Sequence, residues 1–340
     1  MKALQITEPK STRLAEIAEP SPAAGEVLLS VKLIGMCGSD LSTFLGKNAL
    51  AGFPRIPGHE ISAVIERCGV GVPAHLAPGT DVTVLPYTNC GNCSSCLHGR
   101  PNACRFNQTL GVQRDGAMTG KIVVPWQKII PPEGLTTGEL VFVEPLTVGF
   151  HAVDRAAVGD SDTVLVFGCG MIGLGAIVRA SLRGARVIAT DIDDLKLETA
   201  RAFGAQFTVN SRKVALHERL LELTDGNGPD VVIEAVGNPH TYRSAVDEVA
   251  FAGRIACIGY ASEDAPLPTR LFVQKELDVR GSRNATVMDF RSVVRFLGRR
   301  TLPLERVVSR RVGLAEAGLA LADWAAAPAD YTKILVDMSL

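Results

Sequence analysis

Thr163-Val164-Leu165-Val166-Phe167-Gly168-Cys169-Gly170-Met171-Ile172-Gly173 is the stretch that decides the fold. A short apolar, β-branched run ends in glycines, and a helix-like pattern continues to about Arg183. The spacing is G-x-G-x-x-G between a strand and a helix. In that setting the first glycine makes the turn, the second lets a pyrophosphate approach, and the third lets helix and strand pack. The N-terminus of the helix then favours the phosphate charge. The expected cofactor cradle is Gly168, Gly170, Met171, Ile172 and Gly173. A second strand over 186–190 leads to Asp191, 18 residues beyond Gly173. An acid there holds the adenosine ribose hydroxyls and repels a 2′-phosphate, which favours NAD over NADP.

Outward from this stretch, strand and helix patterns alternate. A helix is expected over 193–203, and strands over 207–209, 230–234 and 254–258, with helical patterns between them. Such alternation implies a doubly wound parallel sheet, an α/β (Rossmann) coenzyme domain. After about Gly281 the alternation stops. An amphipathic stretch over 289–297 and a strand over 332–338 read as a return to the first domain. Before residue 162 the texture is β, with short β-branched segments at 26–33, 62–68 and 81–86 between Gly and Pro. The division expected is a mainly β domain of residues 1–152 and 285–340, and an NAD-binding domain of residues 153–284.

The chain has 340 residues, 46% hydrophobic and 21% charged, with a formal net charge of −1. That length suits about two domains. No basic field points to nucleic acid. The uncharged run from Thr163 to Val178 holds four glycines and is too short for a confident membrane span. The first ten residues lack the apolar core of a signal peptide, so the cytoplasm is the expected compartment.

Four of the eight cysteines lie together as Cys90-x-x-Cys93-x-x-Cys96, then Cys104. Clustered thiols in a reducing compartment bind metal more often than they form disulfides. Four thiolates close a tetrahedral zinc site with no open position, which makes it structural. Spacing alone also allows a zinc-ribbon binding module. Three dispersed segments, Cys37-Gly38-Ser39-Asp40, Gly58-His59-Glu60 and Val143-Glu144-Pro145-Leu146, each offer a metal ligand or acid. One Cys, one His and one Glu with water would make an open, catalytic zinc site. Taken singly, a residue like His59 is more often a satisfied core or surface histidine, and Cys37 a buried small residue.

With these residues together, the chain resembles the zinc-containing medium-chain dehydrogenase/reductase family along its whole length, most of all the polyol, sugar-acid and threonine dehydrogenase branch. The matching segments are Cys37–Asp40, Gly58–Glu60, the four-cysteine lobe, Glu144–Gly149, and the pair Asp191 and Lys196. The resemblance implies a GroES-like catalytic domain and two zinc ions per chain. Cys37, His59 and Glu144 would hold the catalytic ion and the four cysteines the structural one. Glu60 would lie beside the catalytic ion and enter its shell during ligand exchange. Asp40 would orient the His59 ring, Ser39 would take the alcohol proton, and Lys196 would join Asp191 at the ribose. A homo-oligomer, dimer or tetramer, is implied as well.

The expected reaction is hydride transfer between NAD and a secondary alcohol. The substrate would be a polyol or an aldonate such as galactonate, gulonate or idonate, because the segment Gly281–Thr286 resembles sugar-acid dehydrogenases. Threonine and simple alcohols remain alternatives, as does a non-enzymatic binding protein on the same fold. Three departures stand out. Ser42 replaces a histidine that usually extends the proton relay, and Ala63 replaces a glycine. The run from Asp115 to Lys121 lacks the acid and aromatic of many relatives. Lys121 would then either favour an acidic substrate or stand as a solvated lysine.

Overall fold

The run Thr163–Phe167 forms one strand of a six-stranded sheet in a computed structural model that describes residues 1–340. Across the sheet the strands are Phe207–Asn210, Arg186–Asp191, Thr163–Phe167, Val231–Glu234, Arg254–Cys257 and Asp278–Gly281. Every neighbouring pair is parallel. Numbered within this unit the order is 3-2-1-4-5-6, that of a doubly wound dinucleotide-binding fold. Right-handed crossovers and a reversal at the first strand put helices on both faces. The central strands are therefore apolar throughout: Val164, Leu165, Val166, Val187, Ile188, Val231, Val232 and Ile233 are fully buried. Each such side chain contributes about 1.5–3 kcal/mol by leaving water.

The chain divides into two compact units, Pro145–Ala285 and Met1–Glu144 with Thr286–Leu340. The first break falls after Glu144 rather than after residue 152. The reason lies in the turns of helix Val143–Arg155 beyond Glu144. A Cβ on Gly149 would lie 2.3 Å from the Ala176 nitrogen, and one on Gly175 would lie 2.5 Å from the Leu146 carbonyl. Those turns therefore pack on helix Met171–Leu182, backbone against backbone. The uncharged run that begins at Thr163 is split between a strand and this helix, and no helix is long and apolar enough to cross a membrane.

The other unit is a mainly β, GroES-like fold. Its seven-stranded sheet runs Val308–Gly313, Lys333–Asp337, Glu26–Gly35, Glu60–Cys68, Asp81–Val84 and Ile129–Ile130, with Lys121–Pro125 also paired to Glu26–Gly35. A hairpin, Lys2–Glu8 with Ser11–Glu16, lies outside this sheet and was not legible as a β element in the sequence. The C-terminal segment returns as expected. Lys333–Asp337 pairs antiparallel with Glu26–Gly35, which in turn pairs Gly35 with Glu60. This register brings the chain's last strand beside the Gly58-His59-Glu60 segment.

Candidate active site and metal centres

Cys37 caps the short helix Gly38–Phe44, and Asp40, in its first turn, is fully buried. The Cys37 backbone N–H donates to Asp40 Oδ2 at 2.9 Å, and the Gly58 N–H donates to Asp40 Oδ1 at 3.2 Å. One carboxylate thus ties together the two backbones that carry Cys37 and His59. The second support is the loop after Asp115. Gly116, Ala117 and Met118 N–H groups donate to the carbonyls of Ile56, Gly58 and Pro57. Cβ atoms on Gly111 or Gly116 would lie 2.6 or 2.4 Å from the Gly58 backbone, so both positions must be glycine.

The ligand atoms of Cys37, His59 and Glu60 lie within 4.8 Å of one another. Glu60 is paired with Lys333, whose Nζ reaches Oε1 at 2.7 Å and Oε2 at 2.5 Å, and which also donates to the Met36 carbonyl. The side chains of this pair are 3% and 2% exposed. Gly35 makes room for it: a Cβ there would lie 2.0 Å from Glu60 Oε2. Glu144 opens helix Val143–Arg155 and is buried. The hydroxyl of buried Tyr87 donates to its Oε1.

Charge explains what this cluster requires. Burial alone would push the His59 imidazole down, yet Cys37, Glu144 and Asp40 raise its pKa well above the usual range. Burial pushes Glu60 up to about 7, with Lys333 opposing and Glu144 reinforcing. Burial and the Glu144 charge push the Tyr87 phenol up, so it stays a proton donor. A soft sulfur, an imidazole and carboxylates that together draw in positive charge are a donor set suited to zinc. Two buried polar atoms, Ser39 Oγ and His59 Nδ1, have no hydrogen-bond partner. A ligand or metal-bound group would satisfy such atoms.

The four-cysteine lobe is assembled by its own backbone. The N–H groups of Cys90, Cys93 and Phe106 donate to the sulfurs of Cys104, Cys90 and Cys104, each at 3.3 Å. The sulfur pairs Cys93–Cys96, Cys104–Cys90 and Cys93–Cys104 are 3.5, 3.6 and 3.8 Å apart. All eight cysteines are free thiols. A tetrahedron with Zn–S bonds of about 2.3 Å has sulfur–sulfur edges of about 3.8 Å, so this cage has the size zinc needs. Hydrogen bonds led by that of Ser95 pull Cys93 down to about 5, which favours the thiolate.

In the other unit, Gly168 turns the chain with φ +88°, and a Cβ on Gly173 would lie 1.8 Å from the Gly168 carbonyl. A Cβ on Gly170 would meet nothing within 4 Å, so the backbone there faces open space, the cradle a pyrophosphate requires. Met171 and Ile172 begin the helix, where N–H groups lack intrahelical partners. Asp191 closes the second strand. Its Oδ2 accepts from Cys169 N at 2.8 Å, and its Oδ1 from Ile192 N and Asp193 N. Lys196, on helix Asp194–Ala202, acts electrostatically on Cys169 together with Asp191.

One expectation is corrected and one alternative is decided. Asp40 does not hydrogen-bond the His59 ring, whose Nδ1 has no partner; its two oxygens accept from the backbones of Cys37 and Gly58. Lys121 is not a substrate anchor but a partly exposed surface lysine, in keeping with the solvated reading. It bridges Glu19 at 2.7 Å and Glu66 at 2.8 Å, and these two carboxylates answer its charge. Three residues escaped the sequence reading. Lys333 had a signal, a cation opening an apolar terminal strand. Glu234 had a similar one: it ends the apolar strand Val231–Glu234 and accepts from Val236 N, Gly237 N and Thr241 Oγ1. Tyr87 had none.

Comparison with known proteins agrees with this architecture. Residues 23–134 match the alcohol dehydrogenase GroES-like domain, and residues 172–299 the zinc-binding dehydrogenase domain. The chain is 30% identical to L-galactonate-5-dehydrogenase of Escherichia coli K12, over 93% of this chain and 92% of that one. Two crystal structures from Escherichia coli are each 31% identical with a TM-score of 0.91. One is rspB of strain CFT073 complexed with NADH, with 99% of both chains covered. The other is galactitol-1-phosphate dehydrogenase, with 99% of this chain and 100% of that one covered. The chain belongs to the zinc-containing medium-chain dehydrogenase/reductase family, oxidoreductases acting on CH–OH groups.

Proposed function

We propose that this protein transfers hydride between NAD and a secondary alcohol of a polyol or sugar acid, an aldonate such as galactonate, gulonate or idonate. The observation that carries this reading is the buried cluster of Cys37, His59 and Glu60, whose ligand atoms lie within 4.8 Å of one another, with Glu144 near enough for its charge to raise His59. Cys37, His59 and Glu144 would hold the catalytic zinc. Glu60 is paired with Lys333, whereas the hydrogen bond to Glu144 comes from a neutral hydroxyl. Cys90, Cys93, Cys96 and Cys104 would hold the structural zinc. When bound, the catalytic zinc lowers the pKa of the alcohol, and the nicotinamide accepts the hydride.

The remaining steps belong to the chain's own side chains. Ser39 Oγ, buried and unpartnered, accepts a hydrogen bond from the alcohol and takes its proton only as it hands its own hydroxyl proton on to water. Asp40 fixes the backbones of Cys37 and Gly58. Gly168, Gly170 and Gly173 admit the pyrophosphate, and Asp191 with Lys196 binds the ribose and disfavours a 2′-phosphate. Relatives that act on an aldonate and on a polyol phosphate support a substrate with several oxygens over a simple alcohol. A homo-oligomer is supported by the edge strand Asp278–Gly281, which carries exposed Val279. A panel of polyols and aldonates assayed with NAD, read as NADH absorbance, tests the reading. Turnover confined to simple alcohols, or absent throughout in zinc-replete protein, overturns it.

A further inference from the structure

The stem of the four-cysteine lobe reaches the catalytic cluster through one side chain. Tyr87 stands between strand Asp81–Val84 and Cys90, and is 5% exposed. Its backbone surroundings are fastened on both sides. Leu85 N donates to the Lys128 carbonyl, Leu110 N to the Pro86 carbonyl, and Gln108 N to Thr88 Oγ1 at 2.7 Å. The ring meets Phe290 edge-on, with centroids 6.4 Å apart and planes at 74°. Phe290 is itself fully buried. The phenol is therefore held before any ligand arrives, and its hydroxyl is spent on Glu144 Oε1.

The two carboxylates of the cluster are held by different chemistry. Both oxygens of Glu60 face an ammonium, which cancels its charge. One oxygen of Glu144 accepts from a neutral phenol, which fixes its orientation. A carboxylate with both oxygens free can chelate a metal and fill a position that a catalytic site must keep open. Resting on Glu144 as the third zinc ligand, we propose that Tyr87 is a positioning residue. By holding Oε1 it would disfavour chelation through both oxygens, so that Glu144 would offer a single oxygen to the zinc. Hydrogen-bonded partners of metal ligands set affinity and activity in this way.

The test is Tyr87→Phe in the holoenzyme, which keeps the ring and its contact with Phe290. Cobalt exchanged into the catalytic site reports coordination number through its visible bands. The variant should show weaker bands than the parent, as coordination rises above four. The kcat/KM should fall about 10–100-fold, with a raised KM for the alcohol. The four-cysteine metal should be unchanged. Tyr87→His, which retains a ring donor, should recover part of both signals. A cobalt spectrum and kcat/KM equal to the parent's in Tyr87→Phe overturn the proposal. Glu144→Ala separates the two layers. If it retains the catalytic metal, the ligand assignment fails. If it loses that metal while Tyr87→Phe behaves as the parent, only the role of Tyr87 fails.

Discussion

Replacing Lys333 by Met removes the ammonium paired with Glu60, at a site where both side chains are nearly inaccessible. Losing one partner of a buried ion pair costs about 3–5 kcal/mol. Glu60 escapes part of this cost by taking a proton. Burial already lifts its pKa from 4.5 to about 7 in the metal-free protein, with Lys333 pulling the other way. The raised folded value means the neutral form is favoured on folding. Its contribution to stability is fully present below about 4.5 and is lost as pH rises through about 7. Lys333→Met removes the lowering influence, so the folded pKa moves higher still. Two pH units are worth at most about 2.7 kcal/mol for one group. The parent carboxyl ionises at about 7, so only the unit from pH 7 to pH 8 separates the two proteins, and the variant should lose about 1.4 kcal/mol more stability at pH 8 than at pH 6. Urea unfolding of chelator-treated protein at both pH values measures this. A loss equal at pH 6 and pH 8, or no loss at pH 8, would falsify the argument that Lys333 serves the charge of Glu60.

Other outcomes follow from the same geometry. Asp191→Ser should narrow the preference for NAD over NADP by about 1–3 kcal/mol, the scale of a hydrogen bond to a charged group; equal kcat/KM for both cofactors in the parent enzyme contradicts the reading. Glu144→Ala should empty the catalytic zinc site and abolish turnover while NAD titration, followed by fluorescence, is unchanged. Metal analysis should find two zinc ions per chain, and timed chelation should strip the open catalytic site before the closed four-thiolate cage. The same loss rate for both ions refutes that difference. Gly173→Ala should abolish NAD binding, because its Cβ would lie 1.8 Å from the Gly168 carbonyl. Binding at the parent's affinity counts against a tight glycine turn.

The coenzyme unit was legible in the sequence because its signals are local. An apolar run, three glycines at fixed spacing and an acid at the end of the next strand need no distant partner to be read. The four-cysteine lobe was equally legible, since its thiols lie within fifteen residues and their own N–H groups orient the sulfurs. The C-terminal return was legible as an end to alternation, but its register against Glu26–Gly35 was not.

That register decides the chemistry around Glu60. Lys333 stands 273 residues from Glu60 and meets it only because the last strand pairs beside Gly35. Tyr87 and Glu144 are 57 residues apart, and no periodicity links a phenol on a lobe stem to a carboxylate on a helix. Asp40 also looked like a partner of an imidazole until the fold gave both its oxygens to backbone donors. By itself the sequence determined which residue types are present and which short-range motifs they build, because spacing along the chain is set by covalent geometry. Only the tertiary structure decided which buried charges meet, because such pairs depend on strand register and on the cost of leaving a charge unanswered away from water.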